Sequence, residues 1–413
     1  TRNVAIGSLA LDRNTTTDDN TAVGYNSLGA NLTGHSNTAL GSESLDSNSS
    51  GHSNVALGRL ALEANTTASN NTAVGTNASR FNQTGADNLA VGAYSLQANI
   101  TGSDNTAIGR SALSSNTTAN NNTAVGRSAL VANTTGTQNV AVGAEALDGN
   151  TTANGNLAVG YRSLSGANTG AYNVALGNHS LLVNTSGQYN TGVGESTLYT
   201  NTTGSYNVAI GRLALYTNNN SYNTAVGYRS LRLNTSGQFN TAVGANTLDA
   251  NTTASNNSAF GDGALGANTT GGSNTAIGQH ALTANTTGGA NVAVGSKALD
   301  ANTTGSNNTG LGYEALGNNT SGNNNVAVGR RSMLNATTAD SNTAVGYASL
   351  DANTTGTRNT AIGDNALGGN TTAHDNVAVG RAALLTSTTG ERNTAVGKSA
   401  GNDTTTGSNN SIF

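Results

Sequence analysis

The sequence predicts an all-β fold, a parallel β-solenoid (β-roll) of about 24 coils with a 17-residue repeat. Three observations carry that prediction. The pentad Asn20-Thr21-Ala22-Val23-Gly24 recurs in close variants, and its Asn steps by 17 residues from Asn3 to Asn410 with one exception, Asn207 to Asn223, which is 16. A fixed period of this length marks a stacked repeat array. Within the pentad the side chains alternate over a short, β-branched run bounded by Asn and Gly, the pattern of a strand. The chain has no proline, which suits uninterrupted hydrogen-bond ladders.

With the pentad Asn as position 0, the elements follow in order. Position 3 is Val, Ile or Leu, with Phe260 and Phe413 as exceptions. Position 4 is Gly from Gly7 to Gly397, a place for positive φ or close backbone approach. Position 7 is small, and position 8 is Leu except at Ser79, Met333 and Gly401. Position 11 is usually Asn and opens a turn such as Asn133-Thr134-Thr135-Gly136. Positions 5, 6, 9, 10, 15 and 16 vary and hold nearly all the charge, so they face solvent. Two or three short strands per coil are expected. Stacked at the usual strand spacing, the coils would form a rod on the order of 115 Å long. Val 3 and Leu 8 are expected to stack in apolar columns, with Val125 inside, and the pentad Asn to form an amide ladder. One Val and one Leu make a thin core for each coil. The small face at position 2 (Ala, with Gly192 and Gly310) is therefore expected to pack against another subunit.

Composition bounds the function. Residues 1–413 read as a single continuous repeat domain, and both ends match the inside of a repeat. With no cysteine, disulfides and Cys-based zinc sites are excluded. A net charge of −4 points to no nucleic acid. No apolar run approaches the roughly 20 residues of a membrane span. Neither cofactor nor metal is expected, and no catalytic set stands out. His35 and His52 share a position in adjacent coils without a third ligand; His179, His280 and His374 are scattered. Asp12, Asp46, Asp148, Asp249, Asp300 and Asp351 share position 9 but not consecutive coils.

The pentad, followed by a small and then an aliphatic residue, resembles the head repeats of trimeric autotransporter adhesins (the YadA-like head). It is also similar to repeat shafts of phage tail fibres. The resemblance covers the whole chain, although the adhesin repeats are shorter and lack the regular Asn-Thr-Thr-Gly turn. It implies a left-handed β-roll, a homotrimer, and an extracellular fibre on a cell or virion surface that adheres to host glycans or matrix proteins.

Three departures from plain repetition are candidate sites. Tyr172, Tyr189, Tyr206, Tyr222 and Phe239 occupy position 16 in five successive coils, and Tyr199 and Tyr216 add a pair at position 9. This strip reads either as a stiffening ladder or as a surface for sugar rings or a partner. Asn-x-Ser/Thr at position 11 gives candidate N-glycosylation sites at Asn14, Asn31, Asn65, Asn99, Asn133, Asn201, Asn251, Asn285, Asn302, Asn353 and Asn370. Equally, Asn and Thr are good turn formers. Thr pairs at positions 12 and 13 suggest an ice-binding array, but adjacent residues of a strand point to opposite faces. The function expected is a structural or adhesive fibre without catalysis, with a tail-fibre shaft and an ice-binding solenoid as alternatives.

Overall fold

The computed structural model describes residues 2–413; Thr1, which opens the first partial repeat, lies outside them. The chain divides into two compact units, Thr1–Tyr206 and Asn207–Phe413, and the 16-residue coil opens the second. Each unit is a parallel β-solenoid, and no helix occurs among the described residues.

The first unit carries twelve strands, from β1 (Val4–Ile6) and β2 (Thr21–Val23) to β12 (Thr191–Val193). The second carries β13 (Val208–Ile210) and β14 (Thr224–Val226) through to β25 (Ser411–Ile412). Like positions pair in register: Val4 with Thr21, Ala5 with Ala22, Ile6 with Val23. The shorter coil keeps this register, since Val208 pairs with Thr224 and Ala209 with Ala225.

Each coil has one strand, not two or three. The reason lies in the backbone after the pentad. Positions 6, 8 and 16 take positive φ in nearly every coil, as at Ser128 (+58°), Leu130 (+53°) and Gln138 (+59°). Such corners break any extended run. Coil-to-coil hydrogen bonding nevertheless continues around the turn. Leu28 N donates to Ser44 O at 3.0 Å, Ala30 N to Asp46 O at 3.0 Å, and Leu32 N to Ser49 O at 2.9 Å. Position 4 needs glycine on both expected grounds. Gly126 has φ of +135°, and a Cβ there would lie 2.5 Å from Gly143 O in the next coil.

The inside and outside of the strand are the reverse of the sequence expectation. Ala at position 2 is wholly buried within its own coil, as at Ala22, Ala73 and Ala124. Val, Ile or Leu at position 3 faces outward, with Leu40 51% and Ile277 42% exposed. Leu at position 8 fills the interior as expected, fully buried at Leu28, Leu96 and Leu130. Alternation separates two faces but does not say which is inner. The coil interior admits only a methyl group opposite the position-7 residue. At Gly192 even that is excluded, because a Cβ would lie 2.6 Å from Ser180 Oγ and 2.8 Å from Thr197 Oγ1.

Candidate functional site

The outward side chains of the strands form the first candidate surface. Thr, Val, Leu or Ser at position 1 and an aliphatic residue or Phe at position 3 project from the strands, mostly partly exposed, on either side of the buried Ala or Gly. In-register pairing stacks them into two adjoining columns in each unit: Thr123 beside Val140, Val125 beside Val142. Neither column contains a charged residue. Position 5 borders the strip with exposed aromatics and arginines, including Tyr161, Tyr313 and Tyr347. The Arg330 guanidinium stands 5.9 Å from the Tyr313 ring and 5.9 Å from the Tyr347 ring. Strand alternation alone does not reveal this strip, because hydrophobicity favours placing position 3 indoors. The signal was present: every position-1 residue is Thr, Ser, Val or Leu, all at home on an exposed β face.

The candidate glycosylation sites lie elsewhere. Asn31, Asn65, Asn99, Asn133, Asn201, Asn251, Asn285, Asn302, Asn353 and Asn370 are wholly buried, and Asn14 is half-buried. Their amides form a second ladder beside that of the pentad Asn. Asn133 Nδ2 donates to Asn116 Oδ1 at 3.0 Å and to Gly136 O at 2.9 Å, and Asn133 Oδ1 accepts from Asn150 Nδ2 at 3.0 Å. In the first ladder, Asn122 Nδ2 donates to the same Gly136 O at 2.9 Å, and Asn122 Oδ1 accepts from Asn139 N at 3.0 Å. A glycan on Asn133 Nδ2 and a folded stack are mutually exclusive, because that nitrogen is enclosed and already donates twice. The position-12 hydroxyls are engaged too, with Thr134 Oγ1 donating to Thr151 O at 3.1 Å and Thr286 Oγ1 to Thr303 O at 3.0 Å. Positions 12 and 13 form a bend rather than a strand. The strand-based objection to an ice-binding Thr array therefore does not apply, although these position-12 hydroxyls donate to the protein.

The aromatic column is the third feature. In the first unit Tyr172, Tyr189 and Tyr206 stack, with ring centroids 5.3 and 5.1 Å apart and planes within 11° and 9°. In the second unit Tyr222 and Phe239 stack at 5.2 Å and 10°. All five are about half exposed. Stacked rings cover one another's faces, so this column offers edges and phenol oxygens more than flat platforms. Tyr172 leans over Gly155, where a Cβ would sit 2.7 Å from the ring. Tyr199 lies apart from the column, edge-on to His179 at 6.4 Å. Tyr216, in the second unit, is half-buried.

The ionisable groups of the described residues meet mainly as ring stacks and ion pairs between coils. His35 and His52 stack at 4.9 Å with parallel planes, and no group of three potential metal ligands is present among the described residues. Arginines and carboxylates mostly pair between adjacent coils, as Arg80–Glu63 at 2.5 Å, Arg232–Asp249 at 2.7 Å and Arg358–Asp375 at 2.7 Å. Burial holds the carboxyls of Asp148, Asp300 and Asp351 above the ordinary aspartate range. At Asp46, burial and then the nearby Glu43 and Glu63 do the same. No described helix is long and apolar enough to cross a membrane. A scan against protein-family models gave no match for the chain, and a search of curated proteins gave none either.

Proposed function

We propose that this chain is the repeat region of an extracellular structural or adhesive fibre, assembled side by side with copies of itself through the position-1 and position-3 strip. The observation that carries this is the strip itself. In each unit it is an uncharged, partly exposed face with one aliphatic or Phe column beside a Thr/Val column, and an exposed face of this kind marks an interaction site. Its occupant must match a two-column pattern that repeats once per coil throughout each unit. A second copy of the chain has that pattern by construction. The small residues of position 2 are enclosed within the coil, so they are not the contact surface. The number of copies, three, and the left-handed winding come from the resemblance to trimeric adhesin heads. A phage tail-fibre shaft is the same object on a virion. Host glycans or matrix proteins are the proposed targets of the assembled fibre, on a cell or virion surface, and no catalysis is assigned.

Light scattering after size exclusion tests this on the full chain and on Val125→Asp, Val142→Asp and Ala124→Asp variants. The expected mass is that of three chains, falling to one in the Val125→Asp/Val142→Asp double variant with its β-sheet circular dichroism retained. Ala124→Asp, by contrast, places an unpaired charge in the coil interior and is expected to unfold the local stack. A monomeric wild type, or a double variant that still assembles fully, would overturn the self-association.

A further inference from the structure

We propose that the Tyr172–Tyr189–Tyr206 column is a site of oxidative tyrosine–tyrosine coupling, where a one-electron oxidant staples adjacent coils covalently. The three rings are held in register by the coil spacing, with centroids 5.3 and 5.1 Å apart and nearly parallel planes. Each side chain is about half exposed, which leaves edges open to a diffusible oxidant and lets the rings swing. Tyr172 N donates to Asn154 O and Tyr189 N to Ala171 O, so the backbone beneath the column is fixed from coil to coil. In the coupling, each phenol gives one electron to the oxidant and its Oη proton to water. The two radicals join through ring carbons ortho to oxygen, and the hydrogens on those carbons move to the oxygens. The net change is the loss of two electrons and two protons for one new carbon–carbon bond. The oxidant is a peroxidase with hydrogen peroxide, or any photogenerated species of that class.

The site also lies where the repeat is irregular. In the coil that carries Tyr172, the ladder residue is Asn168, one place late, followed by a shortened Asn-Thr-Gly turn. Asn168 Nδ2 reaches Asn150 Oδ1 at 3.1 Å, and Asn184 Nδ2 reaches Asn168 Oδ1 at 2.9 Å. A covalent link at position 16 would tie this coil to its neighbours. In the second unit Tyr222 stacks on Phe239 with the same geometry, and Phe239 has no phenol through which to couple.

The experiment is oxidation of the full chain with photoexcited ruthenium tris-bipyridyl and persulfate, followed by peptide mapping by mass spectrometry. Expected products are intrachain links between Tyr172 and Tyr189 and between Tyr189 and Tyr206, each two hydrogens lighter than its parts. Tyr25 and Tyr94, which have no tyrosine at the same position in the adjacent coils, are expected to give no intrachain link. Tyr189→Phe keeps the stack and removes the middle phenol, so no Tyr172–Tyr206 link should form across two coil steps. Tyr172→Phe should leave the Tyr189–Tyr206 link alone. Oxidation that consumes Tyr25 and Tyr94 but leaves the column uncoupled would overturn the proposal. So would a Tyr172–Tyr206 link in Tyr189→Phe at the wild-type yield of column links.

Discussion

At the scale of single residues, the coil is shaped by where side chains tolerate unusual backbone and where they have no room. Leu130 is a bulky residue at φ of +53°, and its counterparts repeat this in coil after coil. A left-handed conformation costs a non-glycine residue roughly 1–2 kcal/mol. Full burial of the Leu side chain, at roughly 1.5–3 kcal/mol, offsets that cost, so the same strained corner recurs instead of being designed away. Gly192 illustrates the limit on volume. Ser180 Oγ and Thr197 Oγ1 stand 2.7 Å apart beside it and occupy the space a methyl group would need. Gly192→Ala is therefore expected to destabilise the first unit by about 1–3 kcal/mol through overpacking. Thr197→Ala in the same chain should recover part of the loss, with both read by thermal unfolding. If Gly192→Ala melts like the wild type, the interior is looser than this packing implies.

At the scale of the element, one three-residue strand per coil is too little to hold a stack by itself. The hydrogen bonds around the rest of the coil and the two buried amide ladders complete it. In the position-11 ladder Asn116 and Asn133 each donate to the preceding Asn while also closing their own turn onto the position-14 carbonyl; the ladder is interrupted at Ala336 and Ser387, where Asn319 Oδ1 and Asn370 Oδ1 are buried without a partner. Asn133→Ala would remove both roles, leaving Asn116 Oδ1 without its donor and Asn150 Nδ2 without its Asn133 acceptor. Each buried group left unsatisfied costs about 1–3 kcal/mol. The expected result is a clear drop in denaturant midpoint, together with faster amide exchange in the adjoining coils. Nearest-neighbour coupling in repeat arrays should keep that disturbance local. A change at Thr135 on the exposed side of the same turn should have little effect.

At the scale of the molecule, charge is arranged between coils more than within them, and several carboxylates are held at a disadvantage. Burial raises the folded-state values of Asp148, Asp300 and Asp351, and burial with two neighbouring glutamates raises that of Asp46. A raised value means that the folded chain binds protons more readily than the unfolded one. The stability linked to these groups is fully present below the ordinary aspartate value and is lost as pH rises through the raised values. Asp375 runs the other way, held low by its bond to Arg358, but it is exposed and screened. The expected outcome is an unfolding temperature that holds or rises as pH falls from neutral into the carboxylate range. Asp351, whose Oδ1 is buried without a hydrogen-bond partner, is the sharpest probe. Asp351→Asn should raise the neutral-pH unfolding temperature and flatten this pH profile. Progressive loss of stability from neutrality down to acid pH would contradict the arrangement.

The sequence by itself determined the repeat, its parallel stacking, the glycine at position 4 and the buried leucine at position 8, because period and residue size report directly on stacking and space. It also located the pentad-Asn ladder and the column of Tyr172, Tyr189 and Tyr206, since identical residues at one coil spacing must meet. It did not determine which strand face is the interior. Ala124 and Val125 alternate equally well either way, and hydrophobicity alone favoured the wrong one. Nor did it separate Asn133 as a turn former from Asn133 as a ladder member, because Asn suits both. Only the tertiary structure decided these points. A 17-residue coil with left-handed corners at positions 6, 8 and 16 encloses a space so narrow that alanine fits inside and valine must face out.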